Sequence, residues 1–329
     1  MLRDYLRLFR AQTAPATILL VLVPYLANAS FWSLNTLVIG VFALFVHWIS
    51  FGHNSLMDTA MGYDLSDPGK KHHPLVAGRI SMSAAHNIIH WGLCGLAIAG
   101  AILSLTLSPN SEAALVSLLF GFVFGYAYNS GLSKECLYGF VPIAACFTSM
   151  GAWAWFLSHP NIDPVGIFLL GYFFLTITFQ TSWSGHLKEM QIAERSNLLI
   201  KMGARIVNNK FIPRRSRIYG WTVKILTLVF ACCLLWLSYN GFGTLFTARF
   251  VWLSTLTVQI IVVLHYLTKP RLYVREKELL TMSIMEILTI YLPVFLVLSY
   301  IEATVLMFLG VFYFFAMNKL LWGADYPRV

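Results

Sequence analysis

Ten long apolar stretches separated by short polar connections govern what this chain can fold into. They run near Ala14–Trp32, Leu34–Met57, Ser83–Leu107, Glu112–Asn129, Leu137–Leu157, Val165–Leu187, Tyr219–Tyr239, Thr244–Leu267, Leu279–Leu298 and Ala303–Trp322. Stretches of about 18 to 24 residues cross a bilayer as helices, which satisfy their own backbone groups in hydrocarbon. A soluble alternative lacks polar surface: 58% of residues are hydrophobic, 11% are charged and the mean hydropathy is +0.70, too little to cover a globule of this length. The expected fold is therefore all-α, a polytopic membrane bundle of nine to ten transmembrane helices around a central cavity, with residues 1–329 forming one domain. The count rests on Ser299-Tyr300-Ile301-Glu302, a short hairpin with neither Gly nor Pro. If it is no turn, nine long or broken spans remain. The first run has no small-residue cleavage site and reads as an uncleaved anchor.

Lys and Arg gather in alternate connections. Arg3, Arg7 and Arg10 precede the first run, Lys70, Lys71 and Arg79 follow the second, and Lys134 follows the fourth; Lys188 through Arg217 and Lys269 through Lys277 follow the sixth and eighth. Connections such as Ser108–Glu112 and Tyr239–Thr244 contain neither residue. Positive loops stay on the cytoplasmic side, so the N-terminus and both long polar segments, 58–82 and 188–218, are expected there. The cell membrane of a prokaryote is the expected location. The net charge of +9 is mostly this bias, with some capacity to attract anionic lipid headgroups. The dispersed basic residues form no nucleic-acid module, so no nucleic-acid partner is expected, and no protein partner is evident. Cys94, Cys136, Cys146, Cys232 and Cys233 show no C-x-x-C spacing and read as small core residues.

Chemistry concentrates at the end of the second run, in Asn54-Ser-Leu-Met-Asp58-Thr-Ala-Met-Gly62-Tyr-Asp64. Asn54 and Asp58, four apart, share a helical face. Gly62 lets the chain turn so that Asp64 swings back to the same pocket. Then comes Asp67-Pro-Gly-Lys70-Lys71-His72-His73-Pro74-Leu75-Val-Ala-Gly78-Arg79. Oxygen ligands for Mg²⁺ followed by cations for phosphate oxygens describe a diphosphate site. Capping alone fits this pattern poorly, whereas Asp67-Pro-Gly reads as a plain turn.

These motifs resemble the UbiA superfamily of intramembrane prenyltransferases, from about Tyr5 to Gly203, strongly in the first segment and less so in the second. The resemblance implies a single UbiA-like transmembrane domain in which an isoprenoid diphosphate is held through Mg²⁺, with Asn54, Asp58 and Asp64 as ligands and Lys70, Lys71, His73 and Arg79 at the diphosphate. Ser55 replaces an Asp that many members carry, and His73 stands where an Arg often precedes Pro-Leu. A neutral imidazole grips phosphate less well than a guanidinium fork. The long polar segments follow the second and sixth runs, which suggests two related four-helix halves whose loops meet over one cavity.

In the second segment, Gly185-His-Leu-Lys188-Glu189-Met-Gln191-Ile-Ala193-Glu194-Arg195, members usually have an Asp-x-x-x-Asp pair followed by Arg. Glu189 sits where the first Asp is expected, the second falls on Ala193, and Glu194-Arg195 matches the Asp-Arg pair only with one residue inserted. Both registers remain open; Lys188 and Arg195 count with the diphosphate ligands and Glu194 with the metal ligands. A solvated helix end is the bland reading of the same charges. By resemblance, Tyr128, Asn129 and Lys134 are further diphosphate contacts; an interfacial aromatic belt with a positive-inside Lys explains them equally well. Glu286 lies inside the ninth run, where an ionisable group needs a partner or a cavity. Phe147, Trp153, Trp155, Phe179 and Trp183 are candidates to line an apolar chamber.

The function implied is Mg²⁺-dependent transfer of an isoprenoid chain from a prenyl diphosphate to a hydrophobic aromatic, quinone-precursor or lipid acceptor, with Asp58, Asp64 and Glu189 essential to turnover. A terpene cyclase of the same superfamily and a non-catalytic transporter or lipid-binding scaffold are the alternatives.

Overall fold

The computed structural model describes residues 1–132, 136–190, 197–241, 246–275, 277–278, 280–281 and 289–323. Its principal helices are α1 (Leu2–Leu8), α2 (Ala14–Leu26), α3 (Leu34–Ala60), α4 (Met82–Leu107), α5 (Ser111–Ala127), α6 (Phe140–Phe156), α7 (Pro164–Phe179), α8 (Ser216–Gly241), α9 (Phe246–Thr268) and α10 (Tyr300–Trp322). Helix starts follow local chemistry. Ser33, Ser81, Asn110 and Asp163 each accept a backbone N–H from the first turn of α3, α4, α5 and α7 respectively, and Pro164 opens α7 where no N–H is needed. Ser299, in the hairpin that lacked a turn signal, starts α10 through a reciprocal capping box with Glu302. A turn does exist there.

Six helices among the described residues are long and apolar enough to span a membrane: Leu34–Ala60, Met82–Leu107, Ser111–Leu132, Pro164–Gly185, Ser216–Leu237 and Tyr300–Trp322. A seventh arises if α1 and Ala11–Leu26, bent by 55°, are one broken span. Phe140–Phe156 and Leu256–Thr268 are shorter apolar helices, and much of the expected ninth run, with Glu286, lies outside the described residues. The described residues thus do not establish the expected count of nine to ten spans. The bend falls at Arg10, whose φ of 47° is left-handed, a conformation that breaks helix continuity.

The outward faces are apolar, with Trp91, Leu119, Trp236 and Phe308 among the exposed side chains, as expected where lipid is the solvent. Inside, Trp153 is fully buried against Phe42 at 4.8 Å between ring centroids. Its indole N–H donates to Ser104 Oγ at 2.9 Å, and interhelical bonds of this kind contribute about 0.6 to 2 kcal/mol in membranes. Trp155, Phe179 and Trp183 are equally closed off. These four rings pack the core instead of lining an open chamber; Phe147 is half-buried.

Short connections gather at one end of the bundle. Asn28 Nδ2 donates to Ser158 O, Ser158 Oγ to Tyr25 O, Ser108 Oγ to Phe156 O and Asn110 Nδ2 to Pro160 O. The long polar segments gather at the other end, where a three-stranded antiparallel sheet forms from β1 (Arg205–Val207), β2 (Lys210–Ile212) and β3 (Arg271–Leu272). Asn208 and Asn209, at φ 49° and 58°, make the tight hairpin turn that positive φ at both positions permits. The sheet was not expected from the sequence. It joins the second polar segment to the loop after α9.

Candidate active site

At the polar end of the bundle α3 delivers Asn54 and Asp58, then stops. Gly62 takes φ +81° and the Asp64 N–H donates to the Asp58 carbonyl at 3.2 Å, a turn that a side-chain-free residue makes at little cost. Asp64 is thereby buried to 1% exposure. Neither of its carboxylate oxygens accepts a hydrogen bond, and its charge faces the buried Lys70 Nζ at 3.8 Å. Asp58 is buried beside it. Arg10 Nη2 approaches Asn54 Oδ1 at 3.5 Å, and its guanidinium stands over Phe51 at 5.5 Å. Ser55 is buried with its hydroxyl directed to Leu8 O.

The basic loop divides into an inside and a rim. His73 is buried with both ring nitrogens unpartnered. Burial, then the Lys70, Arg10 and Arg79 charges, pushes it down to about 2, so it is a neutral wall and brings no cation to the site. Lys71 and Arg79 are exposed. Arg79 is held by Asp4 at 2.8 Å and by His72 O at 2.7 Å, which ties α1 to the rim.

Helices α5 and α7 both loosen into π-turns as they reach this end, over Tyr128–Leu132 and Gln180–Gly185, a distortion common at functional sites. Tyr128 is half-buried. Asn129 Nδ2 contacts His53 Nδ1 at 3.1 Å and Ser50 O at 3.3 Å, so Asn129 braces α3 one residue before Asn54. Past the second π-turn, Glu189 is buried. Asn197 Nδ2 donates to His186 O at 2.7 Å. Lys134, Glu194, Arg195 and the side chain of Lys188 lie outside the described residues.

Sequence reasoning missed Arg275. Its guanidinium grips Asp67 bidentately, at 3.1 Å to Oδ1 and 3.0 Å to Oδ2, so Asp67-Pro-Gly is more than a turn. Burial pulls the Arg275 pKa down, but the Asp67 hydrogen bonds and charge, with smaller contributions from Tyr273 and Glu189, hold it above the usual guanidinium value. Glu189 and Asp67, from the two polar segments, thus act on one cation. Among the described residues no three His, Cys, Asp or Glu side chains stand close enough to hold a metal unaided.

The model of the UbiA prenyltransferase family matches residues 13–284. The chain belongs to this family. In fold it is similar to a UbiA homologue from Archaeoglobus fulgidus bound to DMAPP and Mg²⁺, at 16% identity and TM-score 0.61, covering 89% of this chain and 99% of that one. The same homologue bound to GPP and Mg²⁺ gives a TM-score of 0.59 at 16% identity and the same coverage. A digeranylgeranylglyceryl phosphate synthase covers 97% of this chain and 99% of its own, at 18% identity and TM-score 0.57. No curated protein sequence matches at a significant level. With long apolar helices and this family membership, the chain is an integral membrane protein.

Proposed function

We propose that this UbiA-family protein is a Mg²⁺-dependent membrane prenyltransferase that moves an isoprenoid chain from a prenyl diphosphate to a hydrophobic acceptor. The observation that carries this reading is Asp64, a carboxylate buried to 1% exposure that accepts no hydrogen bond and lies one turn from Asp58. A buried charge of this kind is costly unless a cation joins it, and Lys70 at 3.8 Å is a distant partner. The donor set fits Mg²⁺, which takes one or two protein carboxylates and completes its octahedron with phosphate oxygens and water. Asn54, Asp58 and Asp64 would hold one ion and Glu189, with Glu194 in one register, a second. When bound, Mg²⁺ neutralises charge on the departing diphosphate.

The chain's own residues do the rest. Lys70 supplies a buried cation beside the diphosphate, Arg10 a guanidinium at the elbow of α1 and α2, and Lys71 and Arg79 an exposed basic rim; the family resemblance adds Lys134, Lys188 and Arg195 as further diphosphate contacts. The neutral His73 excludes water, Asn129 braces the end of α3, and Tyr128 beside it remains a candidate diphosphate contact. Charge stabilisation in a water-poor site is the main source of rate, and no protein nucleophile is needed. The polar end faces the cytoplasm, following the placement of Lys and Arg.

Incubating the purified protein with prenyl diphosphates of several lengths, with and without phenolic, quinoid and glycerophosphate acceptors, tests this reading by product mass and diphosphate release. Mg²⁺-dependent release that requires an acceptor is the expected result. Release without an acceptor, giving a cyclised hydrocarbon, would identify a cyclase. No release with any pair would overturn the enzymatic reading.

A further inference from the structure

The loop after α9 makes the connection that neither acid segment makes alone. Arg275 binds Asp67 through two hydrogen bonds, three residues beyond Asp64. Two residues earlier in the same loop, Tyr273 Oη donates to Leu187 O at 2.9 Å, two residues before Glu189. The Tyr273 N–H donates to Asn209 O at 2.7 Å, which seats the loop on the hairpin of the second polar segment. A Cβ at position 69 would meet Arg275 Nη1 at 2.7 Å, so the guanidinium lies directly on the backbone of the first loop. Arg271 fixes the staple from beneath: it pairs bidentately with Glu278 at 2.9 Å and stacks on Phe211 and Tyr266.

We propose that Arg275 and Tyr273 form a staple that holds the two acid segments in register, making Arg275 a positioning residue for both halves of the site. Its catalytic consequence rests on the prenyltransferase reading; its mechanical consequence does not. The pair with Asp67 is buried on the carboxylate side, at 3% side-chain exposure, and losing one partner of such a pair strands the other's charge. Bidentate geometry also fixes direction as well as distance. A site shared between two loops needs this kind of support, because productive geometry tolerates displacements of only about 0.5 Å.

Backbone hydrogen exchange of the full chain in nanodiscs, without substrate, tests the staple directly. Arg275→Met should raise exchange about tenfold or more in both 67–73 and 187–190, segments that open locally once untied. A rise confined to 271–278 would overturn the proposal. Should Arg275→Met fail to fold, Gly69→Ala provides the second variant, since it displaces the guanidinium and changes no charge; the same two segments should then exchange faster, and unchanged rates would count against the staple. In turnover, Arg275→Met should raise the half-saturating Mg²⁺ and the KM for prenyl diphosphate about tenfold while kcat at saturation stays within about threefold, with Arg275→Lys recovering part of the loss. A drop in the amount of folded enzyme with KM unchanged would mean a purely structural role. If the wild type turns over nothing, the prenyltransferase reading fails while the exchange experiment still decides the staple.

Discussion

The backbone N–H of Asp64 donates to the carbonyl of Asp58 at 3.2 Å, so two acids that no straight helix aligns stand one turn apart, Asp58 in the last turn of α3 and Asp64 just beyond it. One is buried at 6% exposure and the other at 1%. Gly62 is the hinge of this relationship, at φ +81°.

Replacing either acid should therefore stop chemistry without unfolding the chain. Asp58→Ala and Asp64→Asn are each expected to lower diphosphate release by about a hundredfold or more, the scale on which single electrostatic contributors to a transition state act. Asp64→Asn also leaves the buried Lys70 without its carboxylate, so some loss of thermal stability accompanies the loss of activity. Full activity of Asp58→Ala in saturating Mg²⁺ would mean the site lies elsewhere.

Sidedness follows from the gathering of polar segments at one end. Lys71 and Arg205 are both exposed there. Cysteines placed at these positions should react with an impermeant maleimide from the same side of a sealed vesicle, the cytoplasmic one. Labelling from opposite sides would end the model.

Much of this was legible in the sequence because its signals are local. Spans announce themselves through about 18 apolar residues in a row, and Asn54, Asp58 and Asp64 lie within eleven residues of one another. The Asp67–Arg275 pair was invisible because its partners are 208 residues apart, and Arg275 looked like any positive-inside loop charge. Arg10 was hidden in the same way. Two other features carry local signals other than Gly or Pro: Ser299-x-x-Glu302 is a capping box, and Asn208-Asn209 is a hairpin turn. The register of the second acidic motif stays open, since residues 191–196 fall outside the described ones.

His73 should make stability depend on acid. Burial and three neighbouring cations push it down to about 2 from an ordinary 6.5, so between those values the unfolded chain takes up a proton that the folded one refuses. The neutral ring's contribution is complete above pH 6.5 and declines as pH falls below it. Asp67 behaves differently: burial pushes its pKa up, but the Arg275 hydrogen bonds, the Gly69 N–H and the nearby charges together hold it below the ordinary 3.8. Its contribution is lost only as pH falls below that ordinary value. The Tm of the wild type should thus fall between pH 6.5 and 5, and His73→Gln should flatten the slope. Parallel slopes would refute the assignment.

Ser299→Ala tests whether the hairpin before α10 is a designed turn. Loss of the cap to Glu302 N and of the hydroxyl's own bond to Glu302 Oε2 should cost about 1 kcal/mol. Denaturant midpoints of the two proteins measure it, and a null effect would make the capping box incidental.

The second acid segment decides whether the site has one metal or two. Glu189 is buried and acts on Arg275, which already grips Asp67, so the structure brings Glu189 to the end where Asp58 and Asp64 lie. If Glu189 is a ligand, Glu189→Gln should raise the half-saturating Mg²⁺ concentration about tenfold or more and lower diphosphate release strongly, while Glu194→Gln changes both less. The alternative register, with Glu194-Arg195 standing for Asp-Arg, predicts the reverse order. Because Gln keeps the size of Glu and removes only its charge, a raised metal requirement with unchanged hydrogen exchange in 67–73 marks the loss of a ligand and not of the Arg275 staple. Should neither variant change the Mg²⁺ titration, the first motif would act alone with the basic loop. A one-sided site is poorly suited to pulling a diphosphate away, so that outcome would also count against the prenyltransferase reading.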